Sequence, residues 1–159
     1  MEQILKILEA DARTSVETIA RMTALTENQV RAQIAEYERT GVIKHYKTIV
    51  DWDKAGADRV LAFIDVKVAP KREVGFDDVA ERIYRYPEVH SVWLVSGDYD
   101  LRLVVGGKNL QDVSAFVSQK LSTIDRIQGT STHFMLKRYK EDNIVFAEQN
   151  TDTRLAVTP

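Results

Sequence analysis

The apolar residues of this chain keep two different periods, and the switch falls at a polar, turn-prone stretch, Asp51-Trp52-Asp53-Lys54-Ala55-Gly56-Ala57-Asp58-Arg59. Before it, apolar side chains recur at three- and four-residue intervals. After it they alternate, beginning with Val60, Ala62, Ile64, Val66 and Val68. The first spacing lines one side of a helix and the second lines one face of a strand. A chain of 159 residues carrying both patterns in separate halves is expected to form two small units. We expect an N-terminal domain over residues 1–50, a linker over 51–59, a second domain over 60–146 and a loose tail over 147–159.

In the first half, Ile4, Leu5 and Leu8 mark a short helix that stops by Asp11. A second starts at Ser15, whose hydroxyl can accept an orphan N–H of the first turn, and runs through Ile19, Ala20 and Met22. Ala24-Leu25-Thr26 leads into a third helix, with Thr26 as N-cap and Gln29 at the reciprocal capping position. Its apolar stripe is Val30, Ile34 and Tyr37, and Gly41 ends it. Residues 42–50 are β-branched and alternating enough to expect a strand or small hairpin.

The second half reads strand (60–69), helix (76–85), strand (89–96), strand (99–105), helix and strand (127–139). Val79, Ala80 and Ile83 line the first of these helices, and Pro87 closes it. Gly97-Asp98 reads as a two-residue hairpin turn. Asn109 caps the second helix, whose stripe is Leu110, Val113, Phe116, Val117 and Leu121. This order is the split βαβ arrangement of ferredoxin-like domains, so the expected fold class is α+β.

Composition narrows the function. Cysteine is absent, which removes disulfides and thiolate chemistry and fits a reducing compartment. No apolar run approaches the ~20 residues of a membrane helix, and Met1-Glu2-Gln3-Ile4-Leu5-Lys6 lacks the layout of a secretory leader, so we expect a cytoplasmic protein without a membrane partner. The histidines, His45, His90 and His133, are far apart, and no metal site or cofactor is expected. Ser91, Ser96 and Ser114 lack a nucleophile elbow, and the glycines do not make a phosphate loop, so no catalytic residue is assigned.

Two short helices joined by a tight turn, the second amphipathic, form the layout of a helix-turn-helix. On the third helix, Asn28, Ala32, Ala35 and Arg39 lie opposite the apolar stripe, with Gln29 and Arg31 flanking them. Small Ala32 and Ala35 would let the helix sit deep in a major groove. Asn28 and Gln29 suit adenine, and Arg31 suits guanine or phosphate. Thr26 and the helix N-terminus suit a phosphate oxygen, and Lys44 and Lys47 lie where a wing would touch the backbone. Bulk charge does not help: the net charge is -2, and residues 1–56 carry eight Lys/Arg against nine Asp/Glu. From pattern alone a solvated three-helix face, with Glu27, Glu36 and Glu38 repelling phosphate, remains open.

The Leu25-Thr26 turn, the Glu38-x-x-Gly41-Val42-Ile43-Lys44-x-Tyr46 stretch and Asp11-Ala12-Arg13-x-Ser15 together resemble the leucine-responsive regulatory protein/AsnC (feast/famine) family. So do Pro87-Glu88-Val89, Val95-Ser96-Gly97-Asp98-Tyr99-Asp100-Leu101 and Gly129-Thr130-x-Thr132 in the second half. The resemblance spans roughly residues 1–146 in order. It implies a winged helix-turn-helix that binds double-stranded DNA, a linker strand and a ferredoxin-like effector domain. It further implies homodimers assembling to higher oligomers, often octamers, with an amino acid or related metabolite bound between dimers near the Gly-Asp-Tyr-Asp loop. Two features depart from the pattern: the first helix is short, and Gln33 stands where the family often carries a basic residue.

An α-amino acid needs carboxylates, hydroxyls and open backbone N–H groups close together. Ser96, Gly97, Asp98, Tyr99 and Asp100, with Thr130 and Thr132, are the candidate effector residues. Read without the resemblance, the same residues are a hairpin turn and strand-forming threonines. Two rival functions stay open. One is an enzyme similar to siroheme decarboxylases, for which His133, Lys137 and Arg138 would have to line a macrocycle pocket. The other is an effector-binding assembly module with weakened DNA binding. A single sheet with both helices on one side would also leave a bare apolar face, which predicts oligomerisation through it.

Overall fold

The computed structural model describes residues 2–70 and 75–146, and the expected tail over 147–159 lies outside them. The chain divides into two compact units, Met1–Val50 and Asp51–Pro159.

The first unit is three helices, α1 (Glu2–Ala10), α2 (Val16–Thr23) and α3 (Glu27–Arg39). Ser15 caps α2 as its spacing suggests, accepting a hydrogen bond from the Thr18 backbone N–H. The turn into α3 passes through Ala24 at φ 56°, a left-handed conformation that usually calls for glycine. Ile4, Ile19, Ala20, Val30 and Tyr37 form the core, one or two from each helix, and the half-buried Ile34 and Ile43 pack on it.

Residues 42–50, expected as a strand or small hairpin, form no ladder, so no paired wing follows α3. Alternation alone does not make a strand; it needs a neighbouring strand to pair with, and this segment has no strand partner among the described residues. Two contacts hold its start instead: the Ile43 N–H donates to the Tyr37 carbonyl at 3.1 Å, and the Tyr46 hydroxyl donates to Glu38 at 2.9 Å.

In the second unit, residues 51–57 are not an open tether. The N–H groups of Ala55, Gly56 and Ala57 donate to the carbonyls of Asp51, Asp53 and Trp52, and the Arg59 guanidinium sits 3.6 Å over the Trp52 ring. Four strands follow, β1 (Val60–Val68), β2 (Val89–Leu94), β3 (Leu101–Gly107) and β4 (Ile127–Phe134), paired antiparallel in the order β2-β3-β1-β4. Helices α4 (Asp77–Tyr84) and α5 (Leu110–Gln119) complete the expected βαββαβ order. Asn109 caps α5 through its side-chain oxygen, 2.8 Å from the Asp112 N–H.

The period-two reading of β1 holds: Ala62, Ile64, Val66 and Val68 are buried with Leu101, Leu103 and Val105 of β3 under Val79 and Ile83 of α4 and Val113 and Phe116 of α5. Both helices therefore cover one face, and the other face carries exposed Phe63 and Trp93.

Two boundaries differ from expectation. The β4 strand ends at Phe134 rather than near 139 because its partner β1 begins at Val60, leaving no ladder beyond the Met135 N–H to Leu61 carbonyl bond. The following residues make a separate hairpin, β5 (Lys140–Glu141) and β6 (Ile144–Val145), turning through Asp142 and Asn143, both at positive φ. The β2–β3 connection is also longer than a two-residue turn. Leu94 pairs with Leu101, and the Val95 N–H donates to the Asp100 carbonyl at 2.9 Å, leaving residues 96–99 as the loop proper.

Candidate DNA interface and effector loop

The third helix presents the residues expected on its outer face. Asn28, Gln29, Arg31 and Ala32 are exposed, as are Lys44 and Lys47 after it. Several are already engaged. Gln29 and Thr26 form a closed capping box: the Gln29 Oε1 accepts from the Thr26 N–H at 2.9 Å and its hydroxyl at 3.0 Å, while the Gln29 N–H donates to the Thr26 Oγ1 at 3.3 Å. A bidentate adenine contact needs both the oxygen and the nitrogen of Gln29, so it would open the cap. Arg31 is 3.4 Å from Glu27, and Arg39 is 2.6 Å from Glu36. The Arg39 guanidinium holds the Glu36 carboxyl below its usual range. Each arginine on this helix is thus neutralised on its own helix. The Asn28 side chain makes no hydrogen bond among the described residues, leaving its amide available to a base edge.

Tyr46, which carried no assigned role, positions the basic segment. Its hydroxyl bond to Glu38 pins the chain to the end of α3, with Lys44 and Lys47 exposed on either side. Partial burial and the Glu38 carboxylate raise the Tyr46 pKa, so the phenol stays protonated and can donate.

At the other candidate site, Ser96, Gly97 and Asp98 form an exposed tip, with Tyr99 and Asp100 half-buried beneath it. Gly97 has φ 129°, open to glycine, and nothing lies within 4 Å of where a Cβ would stand. The foot of the loop is braced to β1. The Asp100 N–H donates to the Val66 carbonyl at 3.0 Å, and its carboxylate accepts from the Val68 N–H at 2.8 Å, at the β1–β4 register shift. Lys67, which sequence reasoning missed, donates to the Asp98 carbonyl at 2.8 Å and lies 3.6 Å from the Asp100 carboxylate. Asp100 therefore has a structural task in holding the loop.

Thr130 and Thr132 pair with Val66 and Ile64, so both belong to the helix-covered side and are half-buried there. Thr130 lies in the same row as Leu101, across Val66, at the loop end of the sheet, and Thr132 is one row further in. One strand separates them from the loop, a gap of about 10 Å.

A cavity of about 730 Å³ opens at the opposite end of the sheet, lined by residues including Glu88, His90, Gly106 and Lys120, and none of the loop residues. His133, Lys137 and Arg138 are not among the residues lining that cavity, and their contacts are separate: His133 contacts Ser131, Lys137 lies over the Tyr139 ring, and Arg138 is over Phe146 and beside Glu141.

The chain thus joins a three-helix unit with an exposed polar helix face to a separate α+β unit with a braced loop. Residues 2–38 match the AsnC-type helix-turn-helix domain, and residues 61–145 match the Lrp/AsnC ligand binding domain. The chain belongs to the Lrp/AsnC family and is a transcriptional regulator of AsnC type. It is 50% identical over 158 residues to the HTH-type regulator YugG of Bacillus subtilis, covering 99% of this chain and 95% of that one. The fold is similar to that of a feast or famine regulatory protein of M. tuberculosis in complex with L-methionine (TM-score 0.73, 21% identity, 90% and 94% of the two chains). It is also similar to a regulator of Neisseria meningitidis in complex with L-methionine (TM-score 0.71, 22% identity, 87% and 89%).

Proposed function

We propose that this regulator binds duplex DNA through the outer face of α3 and the basic segment after it, and that an amino acid or similar small zwitterion sets its DNA affinity or assembly. The observation that carries the effector part is a loop rigid at its foot and open at its tip. Asp100 and Lys67 fix the backbone, while the side chains of Ser96 and Asp98 make no hydrogen bond or ion pair among the described residues. Such a loop offers an ammonium a carboxylate and a ligand carboxylate a hydroxyl without reorganisation. The L-methionine complexes of two fold relatives support the same ligand class.

On DNA, Asn28 reads a base edge, while Arg31, Lys44, Lys47 and the Thr26 end of α3 hold phosphates. Two copies pair through the bare sheet face, because a surface with Phe63 and Trp93 exposed gains by being covered and because a helix-turn-helix reads paired half-sites. Pairs then assemble further, to an octamer, with the loop completed between them. Localisation follows the DNA: a cytoplasmic regulator, in which no described helix is long and apolar enough to cross a membrane.

A thermal-shift screen of the twenty amino acids on the full chain tests the effector reading. A ligand present at 100 times its dissociation constant stabilises the native state by about 2.7 kcal/mol. A melting shift with at least one amino acid, lost in Gly97→Val, is expected. No shift with any of them would overturn the sensor reading and leave the family assignment untouched.

A further inference from the structure

The face of the sheet away from the helices is apolar at Phe63 and Trp93, 40% and 48% exposed, yet at its middle it holds a charged pair. Asp65 of β1 stands directly across from Arg102 of β3, whose Nε and Nη2 donate to the two carboxylate oxygens at 2.6 and 2.9 Å. One row of the ladder reads Trp93, Arg102, Asp65, Ser131, with Asp65 the common partner in the centre. Asp65 is only 5% exposed in the single chain, whereas the Arg102 side chain is 52% exposed. The Arg102 guanidinium holds the Asp65 carboxyl below its usual range, so both groups stay charged.

A guanidinium has five N–H donors and a carboxylate about four acceptor positions, so this bidentate pair leaves both with unused capacity. In one copy, water serves the open side of Arg102. If the face is covered by a second copy, which rests on the pairing proposed above, that water is lost and the remaining donors need acceptors. A merely apolar contact cannot supply them, and a buried charge without enough partners is costly. The pair leaves no net charge of its own at the centre of the face, so an identical face is not repelled there, and its spare acceptors are the complement of its spare donors.

We propose that Asp65 and Arg102 fix the geometry in which two copies of this chain pair: the half-exposed Arg102 of each copy, in moving toward the other copy, uncovers its own nearly buried Asp65, and each carboxylate then also accepts from the partner's Arg102 across the two-fold axis. Four charges then form a closed cluster at the centre of an interface that also holds Phe63 and Trp93, with Ser131 and His133 on its β4 side. Greasy contact between Phe63, Trp93 and their counterparts drives association, and the cluster selects the single rotation and register that satisfies it. His133, whose Nε2 is 3.8 Å from the Asp65 carboxylate, borders the cluster on the β4 side.

Charge reversal with mixing separates this role from an ion pair that matters within one copy only. Arg102→Asp places two carboxylates on one face, and Asp65→Arg places two guanidinium groups on the other variant's face. Each alone is expected to associate at least tenfold more weakly than the wild-type chain in sedimentation. When one variant is isotope-labelled and the two are mixed, native mass spectrometry is expected to show heterodimers in excess of either homodimer. Absence of that excess, with both variants folded by circular dichroism, overturns the cross-copy cluster. If a reversed chain does not fold, Arg102→Met decides: dimerisation at wild-type strength overturns the proposal, and at least tenfold weakening supports it. A wild-type chain that sediments as a monomer would instead overturn the pairing itself.

Discussion

Gln29 holds the backbone N–H of Thr26 through its side-chain oxygen at 2.9 Å, so a residue proposed to read a base is also half of the capping box that starts α3. Asn28 beside it carries no such duty, and the two substitutions should separate. Gln29→Ala should lower the stability of the N-terminal unit by about 0.5–1.5 kcal/mol, the usual net worth of one hydrogen bond, since the Thr26 hydroxyl still caps the helix. Asn28→Ala should leave the melting curve unchanged and cost about 1–3 kcal/mol on the preferred duplex alone. Thermal melts beside fluorescence-anisotropy titrations on specific and random duplexes would read both. Equal loss on the two duplexes for Asn28→Ala would place it on the phosphate backbone.

The acidic balance of the reading module has a local form, with Glu27 tying Arg31 and Glu36 tying Arg39. Glu36→Gln should free Arg39 for phosphate and remove a repelling charge. We expect tighter binding to every sequence and a salt dependence steeper by about one unit in log K against log salt, as one more phosphate contact requires. Unchanged affinity and slope would mean that this side of α3 faces away from the duplex.

Ala24 occupies the left-handed region at φ 56° in the turn between the two reading helices. An L-residue there is strained by roughly 1–2 kcal/mol, while glycine adds about 0.5–1 kcal/mol of unfolded-state entropy. Ala24→Gly should therefore be neutral or stabilising by up to about 1 kcal/mol, seen as an equal or higher urea midpoint at constant m. A lower midpoint would show that the alanine methyl packs usefully in the turn.

Asp65 and Glu88 both have carboxyl pKa values lowered in the folded chain, by the Arg102 and Lys120 side chains respectively, against the opposing effect of burial. A depressed folded pKa gives stability that is complete above the unfolded carboxylate range and fades as pH falls through the depressed value. Urea midpoints should be flat above about pH 5 and decline below about pH 4, where unfolded Asp and Glu bind protons first. Asp65→Asn should reduce the steepness of that decline. An identical acid limb in the variant would mean that the pair does not contribute.

Much of the architecture follows from short-range pattern. The alternation of Val60 to Val68, the cap at Asn109 and the capping box at Thr26 each depend on residues within a few positions, and each appears as read. The misreadings depend on partners far along the chain. Gly97-Asp98 has the composition of a two-residue hairpin, but the loop width is set by Asp100 reaching Val68, 32 residues away. The end of β4 is set by where β1 begins, and residues 42–50 lack a partner to become a strand. In the sequence Asp65 is simply one polar position between the apolar residues of β1. Only the register that puts it opposite Arg102 makes it a buried carboxylate paired to a half-exposed guanidinium. At the 96–100 loop, the bracing role of Asp100 and Lys67 and the helix-side placement of Thr130 and Thr132 were not legible, because both depend on the register of β1.

The central claim is that an amino acid bound at the 96–100 loop changes how tightly this regulator holds DNA. The direct measurement is the affinity of the full chain for its preferred duplex, at fixed salt, with and without each amino acid that shifts its melting temperature. A coupling of about 1–3 kcal/mol predicts a change of roughly 5- to 150-fold. Gly97→Val, whose cost comes from a backbone at φ 129° rather than from crowding, should abolish that change while leaving DNA affinity without ligand intact. An affinity identical with and without a ligand that demonstrably binds would contradict the account.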